Sequence, residues 1–297
     1  MMVSKFLNPK NDVAFRKIFG TESNKDILIH FINDILELKD NHKIEEVEYL
    51  ATVQNPDIAY AKESVVDVLC RDKNGIEIIV EMQVSPEKGF EKRAQYYASK
   101  AYSKQLERGG GDKGKYHNLK EVIFIAISDY VIFKNKETFK SDHVILDKVT
   151  YENDLQDFSF TFIELPKFKK TKISELSNII DKWCFFFKYA DETSESDLEE
   201  IIGSDLVMKR AYEALNQFNW SEVELNTYEK EIKRIMDNRA AEDYLIDKGR
   251  EEGLEKGREE GKIETARNML KLQLDIDIIT QATGLTKEEI LKIKVTI

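Results

Sequence analysis

An α/β fold followed by an all-helical C-terminal region is predicted by three features of the 297-residue chain. The stretch Ser64–Ser85 (SVVDVLCRDKNGIEIIVEMQVS) sets two Val/Ile-rich runs on either side of an Asn-Gly turn, the strongest short hairpin signal. Two more β-type runs, Glu121–Phe133 and Phe158–Leu165, follow beyond a helical segment. From Lys172 the apolar residues recur at helical spacing to about Asp247.

Each element has a local reason. Asn11 and Asp12 can cap a short helix carrying Val13, Phe15, Ile18 and Phe19 that stops at Gly20. Ser23 with Asp26 opens a second helix, striped by Ile27, Leu28, Phe31, Ile32, Ile35 and Leu36. Ile44–Thr52 reads as a strand leading to the hairpin. Gly89–Arg108 is helical, with Ala94, Ala98 and Ala101 small enough to pack closely on a sheet. Arg93, Tyr97, Lys100 and Lys104 share one of its faces. That face is either a solvated basic surface or a phosphate-contacting edge.

GGGDKG (109–114) reads as a flexible loop, and KFKKTK (167–172) as a solvated basic cluster that could touch phosphates. Trp183 and Phe185 to Phe187 are expected in the core. In the tail, Gly249, Gly253, Gly257 and Gly261 recur among charged residues. Each costs a helix about 1 kcal/mol relative to alanine, so a weak exposed helix or hinge is expected. A turn at Thr283-Gly284 and a Thr286/Glu289 capping box suggest a small helix-turn-helix-like unit without a basic recognition face. Three regions result: 1–170, 171–247 and 248–297.

Composition narrows the classes. Two cysteines, Cys70 and Cys184, supply no disulfide framework. The start, MMVSKFLNPK, has no apolar signal region, and the longest apolar run, Val122–Ile127, is too short for a bilayer. A soluble cytoplasmic protein without membrane contact is expected. The net charge of −11 is concentrated between Asp191 and Glu264, which holds 22 acidic and 11 basic residues. Between Pro86 and Lys120 there are 9 basic and 4 acidic residues, a local excess of +5 that suits phosphates.

The hairpin carries the chemistry, and its loop length decides which side chains share a face. A two-residue Asn74-Gly75 loop would pair Asp67 with Met82 and separate Asp67 from Glu81. A three-residue Lys73-Asn74-Gly75 loop, with Gly75 in a left-handed bulge, shifts the register by one. Val66, Val68 and Cys70 then face Met82, Val80 and Ile78, while Arg71 opposes Glu77, Leu69 opposes Ile79, Asp67 opposes Glu81 and Val65 opposes Gln83. The second register is preferred because it segregates apolar from polar residues. Its cost is two carboxylates with Cβ atoms roughly 5 Å apart. A divalent cation such as Mg²⁺, held by one or two carboxylates with phosphate and water, removes that cost. Gln83 lies on the same face and could orient a water or a phosphate, but brings no positive charge.

Taken together, these residues are recognisable. NDVAFRKIFG, VVDVLCRDKNGIEIIVEMQV, RAQYYASKAYSKQLERG, LKEVIFIAISDY, FTFIELPKF and DKWCFFF occur in that order over roughly residues 5 to 240. The pattern resembles the Gln-bearing variant of the PD-(D/E)xK nuclease superfamily, and more narrowly the Rpn-type recombination-promoting nuclease and transposase family. The tail ending in ATGLTKEEI is similar to tails of that family. Val66 stands where the superfamily name has proline, and GGGDKG is longer than the link expected before Tyr116.

The resemblance implies a mixed sheet flanked by helices. It implies Asp67 and Glu81 as Mg²⁺ ligands, with Mn²⁺ or Ca²⁺ as substitutes in vitro, and Gln83 in the usual lysine position. Asp12, otherwise most simply an N-cap, becomes a further candidate ligand. It implies DNA cleavage tied to recombination or mobile DNA, with a metal-activated water attacking phosphorus in line. A catalytically weak or inactive nuclease-fold binding module is the alternative that Gln83 keeps open. The helical C-terminal region offers a route to a homo-oligomer.

Overall fold

The computed structural model describes residues 5–54, 64–106, 115–203 and 205–295. The GGGDKG loop lies outside them. The chain divides into two compact units, one up to Ile232 and one from Lys233.

The first unit is built on a mixed six-stranded sheet. Its strands are β1 (Val47–Tyr49), β4 (Val68–Asp72), β5 (Glu77–Gln83), β6 (Val122–Ser128), β7 (Lys140–Val144) and β8 (Phe158–Glu164), in the order β1-β4-β5-β6-β8-β7. β5, β6 and β8 run parallel to one another, while β1, β4 and β7 pair antiparallel to their neighbours. β2 (Val53–Gln54) and β3 (Ser64–Val65) form a separate two-stranded ribbon.

Helices cover both faces, so the central strands are buried on both sides. On one face Val68, Cys70, Ile78, Val80 and Met82 join α1 (Asp12–Phe19), α2 (Lys25–Ile35), α4 (Ile179–Tyr189) and α6 (Leu206–Leu215) in the larger core. Trp183, Phe186 and Phe187 lie in it, and Trp183 Nε1 donates to Asp34 at 2.8 Å. On the other face Leu69, Ile79, Phe124 and Phe162 pack under α3 (Phe90–Lys104), which meets the sheet through Ala94, Ala98 and Ala101.

The hairpin takes the three-residue-loop register: Val68 opposes Val80, Leu69 opposes Ile79, Cys70 opposes Ile78 and Arg71 opposes Glu77. The Asp72 carboxylate closes the loop by accepting from the main-chain N–H of Asn74 and of Ile76, both at 2.8 Å. Gly75 sits at φ +89°, and a Cβ there would meet the Lys120 side chain at 3.1 Å.

Several elements differ from the sequence expectation, each for a visible reason. The ladder begins at Val68, because the chain bends at Asp67. Val65 therefore pairs with Val53 rather than Gln83, and Val66 packs into the α3-side core instead of facing Met82. Strand β1 is shorter than Ile44–Thr52, because Asn33 captures both the N–H and the carbonyl of Ile44 at 2.8 Å. β6 ends at Ser128, because Glu164 accepts from the amides of Ile132 and Phe133 and turns the chain. Asp26 does not form a capping box with Ser23; its carboxylate and the Ser23 carbonyl both bind Arg210. The basic 167–172 cluster is largely structural: Lys167 pairs with buried Glu164, and Lys170 with buried Asp181.

α5 (Glu195–Ile202) lies between α4 and α6 in the chain, and α7 (Glu222–Lys271) is one continuous helix of 50 residues through all four glycines. In the second unit, α8 (Ile276–Thr283) and α9 (Lys287–Val295) bury Ile279 and Ile290 against Ala266. The Thr286/Glu289 capping box forms, and Gly284 takes φ +71°. No helix among the described residues is long and apolar enough to cross a membrane.

Candidate active site

The bend at Asp67 sets the geometry. Asp67 Oδ2 accepts from the main-chain N–H of Met82 at 3.0 Å, which anchors its carboxylate over β5 one residue beyond Glu81. Glu81 points to the α3 face by strand alternation. The Asp67 and Glu81 carboxyls hydrogen-bond to each other. Glu81 is only 5% exposed, and the Asp67 side chain 10%. Burial, then the charge of Asp67 and their hydrogen bond, push the Glu81 carboxyl well above its ordinary value, while Arg93 and Arg16 pull it down.

Two arginines flank the pair. Arg16, on α1, reaches Asp67 Oδ1 at 3.3 Å and is half exposed. Arg93, in the first turn of α3, pairs with Glu87 and donates to Gln83 Oε1. Gln83 Nε2 donates to the Ser85 carbonyl at 3.0 Å, so both ends of its amide are engaged. Tyr97, one turn after Arg93, is partly buried and feels the charges of Arg93, Glu81, Glu87 and Asp67. Desolvation, the largest cause, raises its hydroxyl above the ordinary value. At the rim, Lys10 binds Asp129 at 3.0 Å, and the Asp129 amide donates to the Gln83 carbonyl.

The structure thus gathers Asp67, Glu81, Gln83, Arg93 and Tyr97, while Lys100 and Lys104 lie further along α3. Asp12 holds the first position of α1, whose cap is Asn11 through the amides of Val13 and Ala14. Asp12 stands one turn before Arg16 on the same helix, and among the described residues no group of three or more His, Cys, Asp or Glu is arranged to hold a metal. Lys100 stacks on Tyr96 at 5.9 Å. Lys104, about 16 Å beyond Arg93 along the helix axis, acts on Glu77 at the other end of β5.

Arg16, Lys10 and Asp129 carry no spacing signal relative to the hairpin, and only the fold brings them in. A concave surface of about 550 Å³ opens elsewhere, lined by His30, Asp34, Lys43 and Ile180 among others, and takes in none of the sequence-predicted site residues.

Two adjacent carboxylates beside arginines suit a hard divalent cation that keeps water and phosphate among its ligands. The two adjacent carboxyls are a donor set whose mutual repulsion, when both are ionised, a cation would relieve.

No curated protein and no solved structure matches the chain. The family model for the PD-(D/E)XK nuclease family transposase matches residues 9–244, a span that includes the whole sheet and the carboxyl pair. The mixed sheet flanked by helices has the architecture of that fold, and the chain belongs to the PD-(D/E)XK nuclease family transposases.

Proposed function

We propose that the protein is a Mg²⁺-dependent DNA endonuclease that hydrolyses phosphodiester bonds in recombination or the movement of mobile DNA. The observation that supports this most is the buried Asp67–Glu81 carboxyl pair between Arg16 and Arg93. Asp67 and Glu81 would hold the cation, with Asp12 as a further candidate ligand. A bound divalent cation polarises a phosphodiester oxygen and lowers the pKa of a bound water.

The chain's own residues set the rest. Glu81 would ligate as the carboxylate, and the Met82 amide keeps the Asp67 carboxylate in place. Arg16 exchanges its partner Asp67 for the DNA backbone. Arg93, Tyr97, Lys100 and Lys104 contribute the α3 side of the DNA surface, with Lys104 reaching phosphates well away from the scissile bond. Purified protein is expected to nick plasmid in Mg²⁺ or Mn²⁺, and Asp67→Ala or Glu81→Ala to abolish nicking. Equal nicking by all three proteins removes the proposal.

A second reading, a catalytically weak DNA-binding module, is favoured by the engaged amide of Gln83, which leaves position 83 without a charge to offer. It predicts that DNA is retained and never cut with any divalent metal.

A further inference from the structure

We propose that Arg93 is the phosphate-binding cation of the Asp67–Glu81 site and that Gln83 is its positioning residue, an inference that rests on the nuclease reading above. Phosphodiester hydrolysis builds negative charge on the phosphoryl oxygens, and fixed donors aimed at that charge stabilise it most. The neutral amide of Gln83 cannot supply the charge. Its two ends are also committed, Nε2 to the Ser85 carbonyl and Oε1 to Arg93.

The guanidinium of Arg93 is held in place from three sides. Gln83 and Glu87 take its two terminal nitrogens. The rings of Phe90 and Tyr97 lie 4.9 and 5.7 Å from it. Its partner Gln83 stands two residues beyond Glu81 on the same face of β5, and its charge acts on Glu81. The third nitrogen, Nε, carries a buried N–H with no partner among the described residues.

An arginine kept for structure alone would have its buried donors satisfied. A planar fork with a spare donor beside two carboxylates matches a phosphate that bridges it to their cation. Arg16 is the competing cation, but it is half exposed and already salt-bridged to Asp67. The charge a lysine would carry at position 83 is thus supplied from the first turn of α3, with Gln83 as its mount.

Four full-length proteins test this: wild type, Arg93→Gln, Gln83→Lys, and the double variant Gln83→Lys/Arg93→Gln. Turnover is read on plasmid with Mg²⁺. Affinity for a short fluorescent duplex is read in EDTA across a salt series. Arg93→Gln is expected to lower kcat by about 100-fold and the slope of log affinity against log salt by about one. The double variant moves the charge to position 83 and is expected to regain most of both.

Near-wild-type behaviour of Arg93→Gln overturns the proposal. So does a double variant no better than Arg93→Gln, which makes Arg93 a structural group. Should Arg93→Gln fail to fold, Arg93→Lys decides: a kept salt slope with reduced kcat supports the proposal, and an unchanged kcat or a lost slope overturns it. Wild-type protein that binds the duplex and cuts nothing removes the nuclease reading and leaves the salt slope to judge Arg93. Wild-type protein that neither binds nor cuts removes both.

Discussion

The Glu81 carboxyl hydrogen-bonds that of Asp67 on the buried α3 face of the sheet, and the next residue along, Met82, gives its amide to Asp67. Two like charges so placed cannot both be ionised cheaply. Burial raises the Glu81 carboxyl first, and the neighbouring Asp67 raises it further.

The raised Glu81 carboxyl has a stability consequence. A carboxyl whose folded value is raised contributes stability that is present below its unfolded value and lost as pH rises through the folded one. Metal-free wild type is therefore expected to lose stability relative to Glu81→Gln between mildly acidic and neutral pH. At neutral pH the variant should melt higher, by about 2–4 °C for each kcal/mol regained. Thermal melts of both proteins across that range check it. Parallel curves contradict it.

Arg16 competes with a cation for Asp67. The contact is long, 3.3 Å, and its arginine half exposed, so it is worth about 0–1 kcal/mol. Arg16→Gln is expected to tighten Mn²⁺ binding by up to about fivefold while weakening DNA binding. A calorimetric titration of the metal and an anisotropy titration of the duplex separate the two effects.

Lys167 neutralises Glu164, which is fully buried where β8 ends and holds the amides of Ile132 and Phe133. Lys167→Met leaves that carboxylate uncompensated and is expected to cost about 3 kcal/mol, read as a lowered urea midpoint. Glu164→Gln in the same background should recover part of the loss, because the amide oxygen still accepts from the backbone.

The glycines of α7 have open space around them: a Cβ at Gly253 or Gly257 meets nothing within 4 Å. Gly253→Ala and Gly257→Ala are each expected to stabilise the helix by about 1 kcal/mol, seen as higher helicity by circular dichroism on heating. Plasmid nicking should be unchanged, since neither residue belongs to the site.

What was legible in the sequence was local. The Asn-Gly turn and the alternation around it placed Asp67 and Glu81 together, and the alanine stripe seated α3. The bend at Asp67 is not legible, because nothing in SVVDVL marks where the chain leaves one ribbon for another, and Val65 and Val66 therefore pair and pack differently from the simple hairpin alternation. β7 leaves no sequence signal because KSDHV is a polar edge strand without the apolar alternation of a half-buried one. Asn33 at Ile44 and Glu164 at Ile132 end their strands through side chains distant in sequence. Arg16 enters the site for the same reason, since only the packing of α1 on the sheet brings it to Asp67.

The most direct measurement is a Mn²⁺ titration, followed by electron paramagnetic resonance, of wild type, Asp67→Asn and Glu81→Gln at neutral pH. Wild type is expected to bind the ion at one site, with affinity that rises with pH as Glu81 gives up its proton. Either substitution should weaken binding by about tenfold or more. The same isotherm in all three proteins, or no binding by wild type, would contradict the assignment of Asp67 and Glu81 as the cation ligands.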